Sequence, residues 1–275
     1  MKLDWIDTCL ELASEPADFY SGCRKILRNR SIVFKRIKPD LVMADAGYTQ
    51  SKMTMLVKNY VHEESRDVAQ QLWNKRLGQR KYGSVSFTCF GHFVKGGTVD
   101  AKRSKRASVF GPCIQSVSLT YMNDHTTAVD VFYRTTEMLK KFPADLVFIR
   151  DVLLADFDFS NAPVKSITFH FANITMHPMY FVTILPLLDD PMGELDLIKE
   201  ADRHFFDWIV KWSARYLVPE YHRGIQKFAQ AMRVCQDARS RIPKDVMPDL
   251  IKYLKDNHPG YRNEYVDPDG EEEEE

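Results

Sequence analysis

The segment with the clearest chemical potential is Phe110-Gly111-Pro112-Cys113, which precedes an alternating, strand-like run from Ile114 to Tyr121. A basic run that includes Arg103 and Arg106 comes just before it. Cysteine reacts as its thiolate, and neighbouring positive charge favours that form. The sequence therefore predicts that Cys113 is a nucleophile at the mouth of a strand.

Two further groups follow Cys113. The run Tyr133-Arg134-Thr135-Thr136-Glu137 places a guanidinium beside a hydroxyl, and Phe142-Pro143-Ala144-Asp145 ends in a carboxylate. Arginine can hold a phosphate through two parallel hydrogen bonds, to which a hydroxyl adds a neutral donor. A thiolate can attack an electron-poor ring carbon, and a carboxylate can accept from an exocyclic amino group. Together these groups indicate a site for a phosphorylated pyrimidine.

The segment from Cys113 to Asp145 resembles the catalytic segment of thymidylate synthase and of its relative deoxycytidylate hydroxymethylase. That family carries a Pro-Cys step, a strand ending in Tyr-Asn-Asp or similar, an Arg-Ser-x-Asp element and a Gly-x-Pro-Phe-Asn element. The counterparts here are Pro112-Cys113, Tyr121-Met122-Asn123-Asp124, Arg134-Thr135-Thr136-Glu137 and Lys141-Phe142-Pro143-Ala144-Asp145. The interval from Arg134 to Asp145 matches the family without a gap, and one extra residue falls in the turn before Arg134.

The resemblance implies C5 hydroxymethylation, or methylation, of a pyrimidine deoxynucleotide monophosphate. Cys113 would add to C6 of the ring and make C5 nucleophilic toward a one-carbon unit from 5,10-methylenetetrahydrofolate. Arg134 and Thr135 would bind the 5′-phosphate. Arg103 and Arg106 resemble the paired arginines that, in this family, reach the phosphate from the other subunit of a homodimer.

Further family positions are implied in the same way. Glu137 stands where the family has a folate-facing aspartate. Ile114 replaces the histidine that usually follows the cysteine, and Gln115 is the nearest counterpart of the family's later glutamine. The family's His-x-Tyr-x-Asn-His strand corresponds to the strand that contains His170 and Asn173, in a register that the sequence leaves open. The resemblance implies that Gln115, His170 and Asn173 contact the substrate.

Asp145 bears on the choice of base. The family's asparagine at this position offers one donor and one acceptor to the uracil edge, whereas an ionised aspartate only accepts. An acceptor suits the amino group of cytosine better than the carbonyl of uracil, and the hydroxymethylase branch carries aspartate here. The sequence therefore favours dCMP over dUMP. The family's general base, a glutamate on an early helix, could be Glu63 or Glu64.

Two other functions fit parts of the pattern. DNA cytosine-C5 methyltransferases use a Pro-Cys-Gln loop, but Gly111-Pro112-Cys113-Ile114-Gln115 has an extra residue before the glutamine. The chain also lacks a glycine-rich strand–helix start for adenosylmethionine, and its balanced charge makes nucleic acid an unfavoured partner. The second alternative is a catalytically altered nucleotide- or nucleic-acid-binding protein on the same fold, favoured by the basic run and by the changed folate positions.

The elements that must position these residues can be read from the spacing of apolar residues. Helices are expected over Trp5–Asn29 with a break at Glu15-Pro16, and over Ser51–Leu77, Thr136–Leu154, His177–Leu188, Leu195–Tyr216, Ile225–Val234 and Asp245–Lys255. Strands are expected over Tyr82–Val94, Val109–Leu119, Ala128–Tyr133 and Ser166–Ile174. This pattern predicts an α+β fold with a thymidylate synthase-like twisted mixed sheet, flanking helices and a helical C-terminal third.

The same reading predicts how copies of the chain associate. The apolar strand faces that carry Val117, Leu119, Val129 and Val131 are expected to form an isologous homodimer interface through the sheet.

The bulk composition narrows the class of protein. The chain has 275 residues, 44% of them hydrophobic and 28% charged, with zero formal net charge. Its five cysteines are scattered without a Cys-x-x-Cys pair, which argues against a metal site or a disulfide framework. Acidic residues near the N-terminus and the lack of a long apolar run predict neither a secretory signal nor a membrane span.

Cytoplasmic localisation, in a bacterial or virus-infected host cell, is the corresponding expectation. Residues 1–266 are expected to form one domain, and residues 267–275 a disordered acidic tail.

Overall fold

The computed structural model of the chain describes residues 4–15, 17–20, 24–34, 61, 63–89, 113–139, 141–181, 184–185, 188–217 and 246–258. The strands are β1 (Asp18–Tyr20), β2 (Arg24–Phe34), β3 (Gly83–Thr88), β4 (Ile114–Tyr121), β5 (Thr127–Glu137) and β6 (Val164–Met176). The helices are α1 (Asp4–Ser14), α2 (Glu63–Gln79), α3 (Phe142–Phe148), α4 (Pro178–Phe181), α5 (Pro191–Ala201), α6 (Arg203–Leu217) and α7 (Val246–Asn257).

The six strands form one sheet in the order β1-β2-β6-β5-β4-β3. The β1–β2, β3–β4 and β4–β5 pairs are antiparallel. The β5–β6 pair is parallel, because Thr127 N bonds to Pro163 O at its start and Met138 N bonds to Thr175 O at its end, both at 2.9 Å. The predicted α+β class with a mixed sheet flanked by helices is therefore confirmed.

A crossover connects the two parallel strands, as parallel pairing requires. It contains α3 and a π-helical turn, Ile149–Leu153. The sequence predicted a single helix from Thr136 to Leu154, but β5 continues through Glu137 and the helix begins only at Phe142. Pro143 lies in its first turn, where its missing N–H costs nothing, so the proline sets the start of the helix.

One face of the sheet is apolar and covered by the chain's own helices. Val117, Leu119, Val129 and Val131 have no exposed surface. The ring of Trp73 on α2 lies 6.3 Å from that of Tyr121 on β4, and the ring of Phe142 on α3 lies 5.1 Å from that of Phe169 on β6. The prediction that the four aliphatic residues form an interface between copies is wrong, because this face is buried within a single chain.

The opposite face of β3 and β4 is polar and open. The hydroxyls of Ser84 and Thr120 are 2.8 Å apart, and that of Ser86 donates to Ser118 at 3.0 Å. On β5 this face carries Phe132, which is 41% exposed. We refer to it below as the open face.

The chain divides into two compact units. One comprises Arg28–Thr136 and Lys141–Ile174, and contains α2, α3 and β3–β5 apart from the last residue of β5. The other comprises Met1–Leu27, Glu137–Lys140 and Thr175–Glu275, and packs α1, α5, α6 and α7 against one another. A helical C-terminal third is thus present. The assignment of residues 1–266 to one domain stays a prediction, and residues 225–234 and 267–275 lie outside the described residues.

The largest error in the predicted elements falls on residues 17–29, where a helix was expected and the β1–β2 hairpin is found. The apolar residues there have helical spacing, but the buried positions of β2 begin with Lys25 and Leu27, which alternate as in a strand. A fully buried lysine concealed that alternation, because a lysine is normally read as a surface residue.

Two helices also differ in detail from their predictions. The spacing of apolar residues predicts that Val68, Leu72 and Trp73 of α2 are buried. The structure buries Ala69 and Trp73, whereas Val68 is 56% exposed and Leu72 is 48% exposed. The helix predicted from Leu195 to Tyr216 is interrupted at Asp202, whose backbone leaves the helical region and whose carboxylate accepts from Phe205 N at 3.0 Å. An aspartate in this role starts a new helix. Among the described residues, no helix is both long and apolar enough to cross a membrane.

Candidate active site

Cys113 and Arg134 are brought side by side by the β4–β5 pair. Arg134 N donates to Cys113 O at 2.8 Å, and the next residues inward, Ile114 and Tyr133, are paired and buried. Side chains alternate along a strand, so Cys113 and Arg134 emerge together on the other face from Ile114 and Tyr133. Cross-strand neighbours of this kind have Cβ atoms about 5 Å apart. Both side chains are half-buried, which leaves each of them accessible to a small ligand.

Gln115 occupies an irregularity in the same pair. The register shifts between Ile114 and Ser116, so Gln115 has no direct partner on β5. Its carbonyl instead accepts from Cys89 N at 2.8 Å. Bulges turn a strand and redirect the side chains beside them, and they are frequent next to active sites. This bulge immediately follows Cys113 and lets Ile114 and Val117, three positions apart, both face the core.

Asn173 joins this cluster from the third strand, β6. Its Nδ2 donates to Arg134 O, at a distance of 3.5 Å. Thr135, by contrast, follows Arg134 directly, and successive residues of a strand face opposite sides of the sheet. The strand therefore separates Arg134 and Thr135, which the resemblance assigns to the same phosphate. Cys113, Arg134 and Asn173 thus form a row across β4, β5 and β6.

Asp145 lies on α3, the helix that covers the apolar face. It is 8% exposed and stands one turn after Phe142, on the same side of the helix. The ring of Phe142 packs against Tyr133 at 6.1 Å and Phe171 at 5.5 Å between centroids. Asp145 therefore lies on the opposite side of the sheet from the side chains of Cys113 and Arg134, and the structure does not bring these three groups together.

Glu137 ends β5 and is nearly buried, at 8% exposure. Its Oε1 accepts from His177 N at 3.1 Å, just before α4 begins. Its negative charge also contributes to raising the pKa of the buried Cys9 thiol, which desolvation raises most. The assignment of Glu137 as a folate-facing group stays a prediction.

His170 lies on the open face of β6, between two partners that the sequence did not single out. Its Nε2 is 2.9 Å from Asp130 Oδ1, and its Nδ1 is 3.0 Å from Ser31 Oγ. Phe132 stacks on the imidazole with 4.7 Å between centroids. A carboxylate accepts and cannot donate, so Nε2 carries a proton toward Asp130 and Nδ1 accepts from Ser31 when the ring is neutral. These contacts orient the ring across β2, β6 and β5.

No local signal could have revealed the row formed by Ser31, His170 and Asp130, because these three residues are far apart in the chain. Arg103 and Arg106, the predicted phosphate ligands from a second subunit, lie outside the described residues. Within the part of the chain that the structure describes, no group of three His, Cys, Asp or Glu side chains could hold a metal ion.

Comparisons with known proteins give likenesses in structure and no match in sequence. No protein-family model matches the chain, and no curated protein matches it. Thymidylate synthase from T4 phage aligns with 64% of this chain and 77% of its own, at 11% sequence identity and a TM-score of 0.34. An overlap of this size carries no argument about the fold family or the function of this chain.

The three described cysteines differ in accessibility, and this predicts their reactivity. Cys9 and Cys89 are fully buried, and desolvation raises the pKa of Cys89 to about 12. Cys113 is half-buried. We expect iodoacetamide at pH 8 to alkylate Cys113 at least about tenfold faster than the other two in the folded protein.

Peptide mass spectrometry after timed quenching measures these rates. The matched control is the same labelling in urea, where all three thiols should react alike because burial is lost. Equal labelling of Cys89 and Cys113 in the folded protein would contradict the described burial.

Proposed function

We propose that the protein activates C5 of a pyrimidine deoxynucleotide monophosphate, with dCMP preferred to dUMP, for hydroxymethylation or methylation. The observation that carries the proposal is the pairing of half-buried Cys113 with Arg134 on adjacent strands. A nucleophile and a phosphate ligand are thereby held within the length of one nucleotide. The order of sequence elements from Cys113 to Asp145 supports the same reaction.

The proposed chemistry takes place on the nucleotide ring. The Cys113 thiolate forms a bond from Sγ to C6, and the electron pair of the C5–C6 double bond moves to C5. C5 can then exchange its hydrogen with solvent or attack a one-carbon electrophile. Expulsion of the thiolate restores the double bond once C5 has lost its hydrogen as a proton. Each stage is easier than direct substitution at an unactivated ring carbon.

The binding residues take the following proposed roles. Arg134 holds the 5′-phosphate, and Gln115, His170 and Asn173 contact the remaining polar atoms. The resemblance implies that Asp145 accepts from the cytosine amino group, although α3 lies on the opposite face of the sheet from the side chains of Cys113 and Arg134. The resemblance implies methylenetetrahydrofolate as the one-carbon donor and a homodimer in which Arg103 and Arg106 reach the partner's phosphate. Addition at C6, exchange of the C5 hydrogen and expulsion of the thiolate use the nucleotide alone, whereas transfer of a one-carbon unit needs a donor.

Release of tritium from [5-³H]dCMP into water tests the proposal most directly. It reports addition at C6 and loss of the C5 hydrogen without depending on the donor. Tritium release in the presence of the full-length protein, with and without methylenetetrahydrofolate, is the expected result. A protein that binds dCMP tightly but releases no tritium under either condition would instead be the non-catalytic nucleotide-binding protein.

Arg134→Ala should weaken binding of dCMP by roughly 10- to 100-fold, the usual size of a charge-assisted contact. Binding of deoxycytidine, which lacks the phosphate, should be unchanged. Isothermal titration with both ligands measures the difference. Arg134→Lys should restore only part of the affinity, because an ammonium lacks the forked geometry of a guanidinium.

The control for this experiment is Arg203→Ala, which removes an exposed arginine that pairs with Asp207 on α6. It should leave both affinities unchanged. An equal loss of deoxycytidine and dCMP binding in Arg134→Ala would show that Arg134 does not act on the phosphate.

Base recognition by Asp145, as the resemblance implies, predicts that Asp145→Asn shifts the preference from dCMP toward dUMP by about 10²-fold in the ratio of kcat/KM values. The amide supplies a donor to the uracil carbonyl and removes one acceptor from the cytosine amino group. Tritium release from the two labelled nucleotides measures the ratio. Asp151→Asn, at an exposed position nearby, is the control and should leave it unchanged. An unchanged ratio in Asp145→Asn would remove Asp145 from base recognition.

A further inference from the structure

A cavity lies at the end of the sheet opposite Cys113. It has a volume of about 700 Å³, within the range of small-molecule sites. Its polar lining comes from the end of α2, the β4–β5 turn and the loop before β6: Asn74, Arg80, Tyr121, His125, Asp158 and Asn161. Cys113 precedes the first residue of β4 and Tyr121 is its last, so an eight-residue strand separates the sites by roughly 23 Å.

The end of α2 has an unusual arrangement of residues. Lys81 N donates to Arg76 O at 2.9 Å and Arg80 N donates to Leu77 O at 3.1 Å, the pair of bonds that closes a Schellman motif. In that motif Arg80 occupies the left-handed position, with φ of 50°, where glycine is strongly preferred. Gly78 instead occupies a helical position, where alanine would be favoured.

Packing does not explain why the glycine lies at the helical position 78 and the arginine at the left-handed position 80. A Cβ atom added at Gly78 would meet no atom within 4 Å, so no neighbour requires a glycine there. Both positions line the cavity, where the missing side chain of Gly78 leaves room and Arg80 supplies a cation. A glycine at position 80 and a larger residue at position 78 would make the helix end more stable. The residues present instead enlarge the cavity and add a charge to it.

His125, which lines the same cavity, is a second non-glycine residue in a left-handed conformation. It is the third residue of the β4–β5 turn and has φ of 61°, again a conformation that favours glycine. Its Nδ1 lies 2.8 Å from the hydroxyl of Tyr121. Non-glycine residues held in such conformations are concentrated at functional sites. Two side chains of this kind, from separate elements, line one cavity.

The charge and polarity of the lining indicate the chemistry of a ligand. The lining carries the cation of Arg80, and His125 adds an imidazole. Asn74 and Asn161 offer both donors and acceptors, and the carboxylate of Asp158 accepts from Ser160 N at 2.9 Å while keeping its second oxygen available to other donors. Hydrogen bonds from Ser160 lower the pKa of Asp158, so it is ionised at neutral pH. Cations suit a phosphate, and amides with a carboxylate suit hydroxyl groups.

We propose that this cavity binds a sugar phosphate, with Arg80 and His125 on the phosphate and Asn74, Asp158 and Asn161 on the hydroxyl groups. A free sugar phosphate and the backbone of a nucleic acid share this chemistry. A volume of about 700 Å³ accommodates a sugar phosphate, and the oligonucleotide measurement below distinguishes the two sources. The site is independent of the nucleotide site proposed around Cys113.

Thermal unfolding of the full chain with ribose 5-phosphate tests the assignment. At ten times the dissociation constant, this ligand should raise Tm by about 4 °C. Ribose alone and inorganic phosphate alone, at the same concentration, should give much smaller shifts. Arg134→Ala should keep the full shift, which separates this cavity from the site at Cys113.

Arg80→Gly is the decisive variant. Without ligand it should melt about 2 °C above the wild type, because glycine relieves the left-handed position. With ribose 5-phosphate it should show no shift. Gly78→Leu should also abolish the shift, by filling the cavity, and His125→Asn, which tolerates the same backbone, should reduce it. Lys81→Ala, at a neighbouring cation outside the lining, is the control and should behave as the wild type.

Several results would overturn the proposal. One is the absence of any shift for the wild type with ribose 5-phosphate, and another is a full shift in Arg80→Gly. Inorganic phosphate alone matching ribose 5-phosphate would reduce the cavity to an anion site. Binding of a decathymidylate oligonucleotide without binding of ribose 5-phosphate would assign the surface to nucleic acid.

Discussion

Replacing Cys113 by alanine lowers the rate of tritium release from [5-³H]dCMP at least about 10³-fold, because no other described group is placed to bond to C6 beside Arg134. Cys113→Ser should be nearly as slow, since a serine hydroxyl is a far weaker nucleophile than a thiolate at neutral pH. Both variants should fold normally, because Cys113 is half-buried. Binding of dCMP, measured by titration, should remain within a few-fold of the wild type.

The matched control is Cys89→Ala, which removes a thiol of the sheet core. It should be less stable, because it leaves a cavity, but its folded fraction should release tritium at the wild-type rate. Substantial tritium release by Cys113→Ala would remove the nucleophile from the proposed reaction. Loss of dCMP binding together with the rate would instead assign Cys113 a role in binding.

Replacing Asp202 by alanine lowers the free energy of unfolding by about 3–5 kcal/mol, since it leaves a buried charge without its counter-ion. Lys25 has no exposed surface, and its Nζ donates to Asp202 Oδ2 at 3.0 Å and to Ala13 O at 2.7 Å. The ring of Phe205 lies 5.0 Å from the same nitrogen. Urea unfolding monitored by circular dichroism measures the loss, with an unchanged m-value as the condition for comparison.

Asp202→Asn separates the two roles of this carboxylate. Asparagine can still accept from Phe205 N at the start of α6, so only the counter-ion is lost and the destabilisation should be smaller than in Asp202→Ala. The double variant Lys25→Met with Asp202→Asn should recover part of the loss, because it removes the unpaired charge. If both single variants were within 0.5 kcal/mol of the wild type, the threshold for a typical surface substitution, the ion pair would have no role in stability.

The pH dependence of Asp202→Asn follows from Lys25. Desolvation lowers the pKa of Lys25, and the hydrogen bond and charge of Asp202 oppose that effect. Without Asp202 the pKa of Lys25 should fall further below its unfolded value. Between the two pKa values the unfolded state binds more protons, so stability rises with pH. The free energy of unfolding of Asp202→Asn should therefore approach that of the wild type as the pH is raised from 7 toward 10.

Strand alternation and turn residues were sufficient to predict the central part of the fold. The β4–β5 pair, β3, β6, α1 up to its break and α7 all fall where the apolar spacing placed them. Each of these signals is local, because an alternating run needs only neighbouring residues to define its buried face. The candidate nucleophile and the arginine were likewise identified from residue types and their order along the chain.

Other features depended on contacts between distant residues. The β1–β2 hairpin was missed because a core lysine there is stable only with Asp202, 177 residues away. The row of Ser31, His170 and Asp130 and the exchange of Gly78 and Arg80 at a cavity wall could not be inferred from sequence either. In each case the role of a residue is set by partners that no local pattern specifies.

The sequence by itself determined the class of fold, the order of the central strands along the chain and the candidate residues for a nucleophile and a phosphate ligand. Only the tertiary structure decided which face of the sheet is buried, that Cys113 and Arg134 are neighbours, that Thr135 points away from Arg134 and that Glu137 is engaged with a backbone amide. The physical reason is that periodicity records whether a side chain is buried, whereas strand register and helix docking decide which side chains it meets.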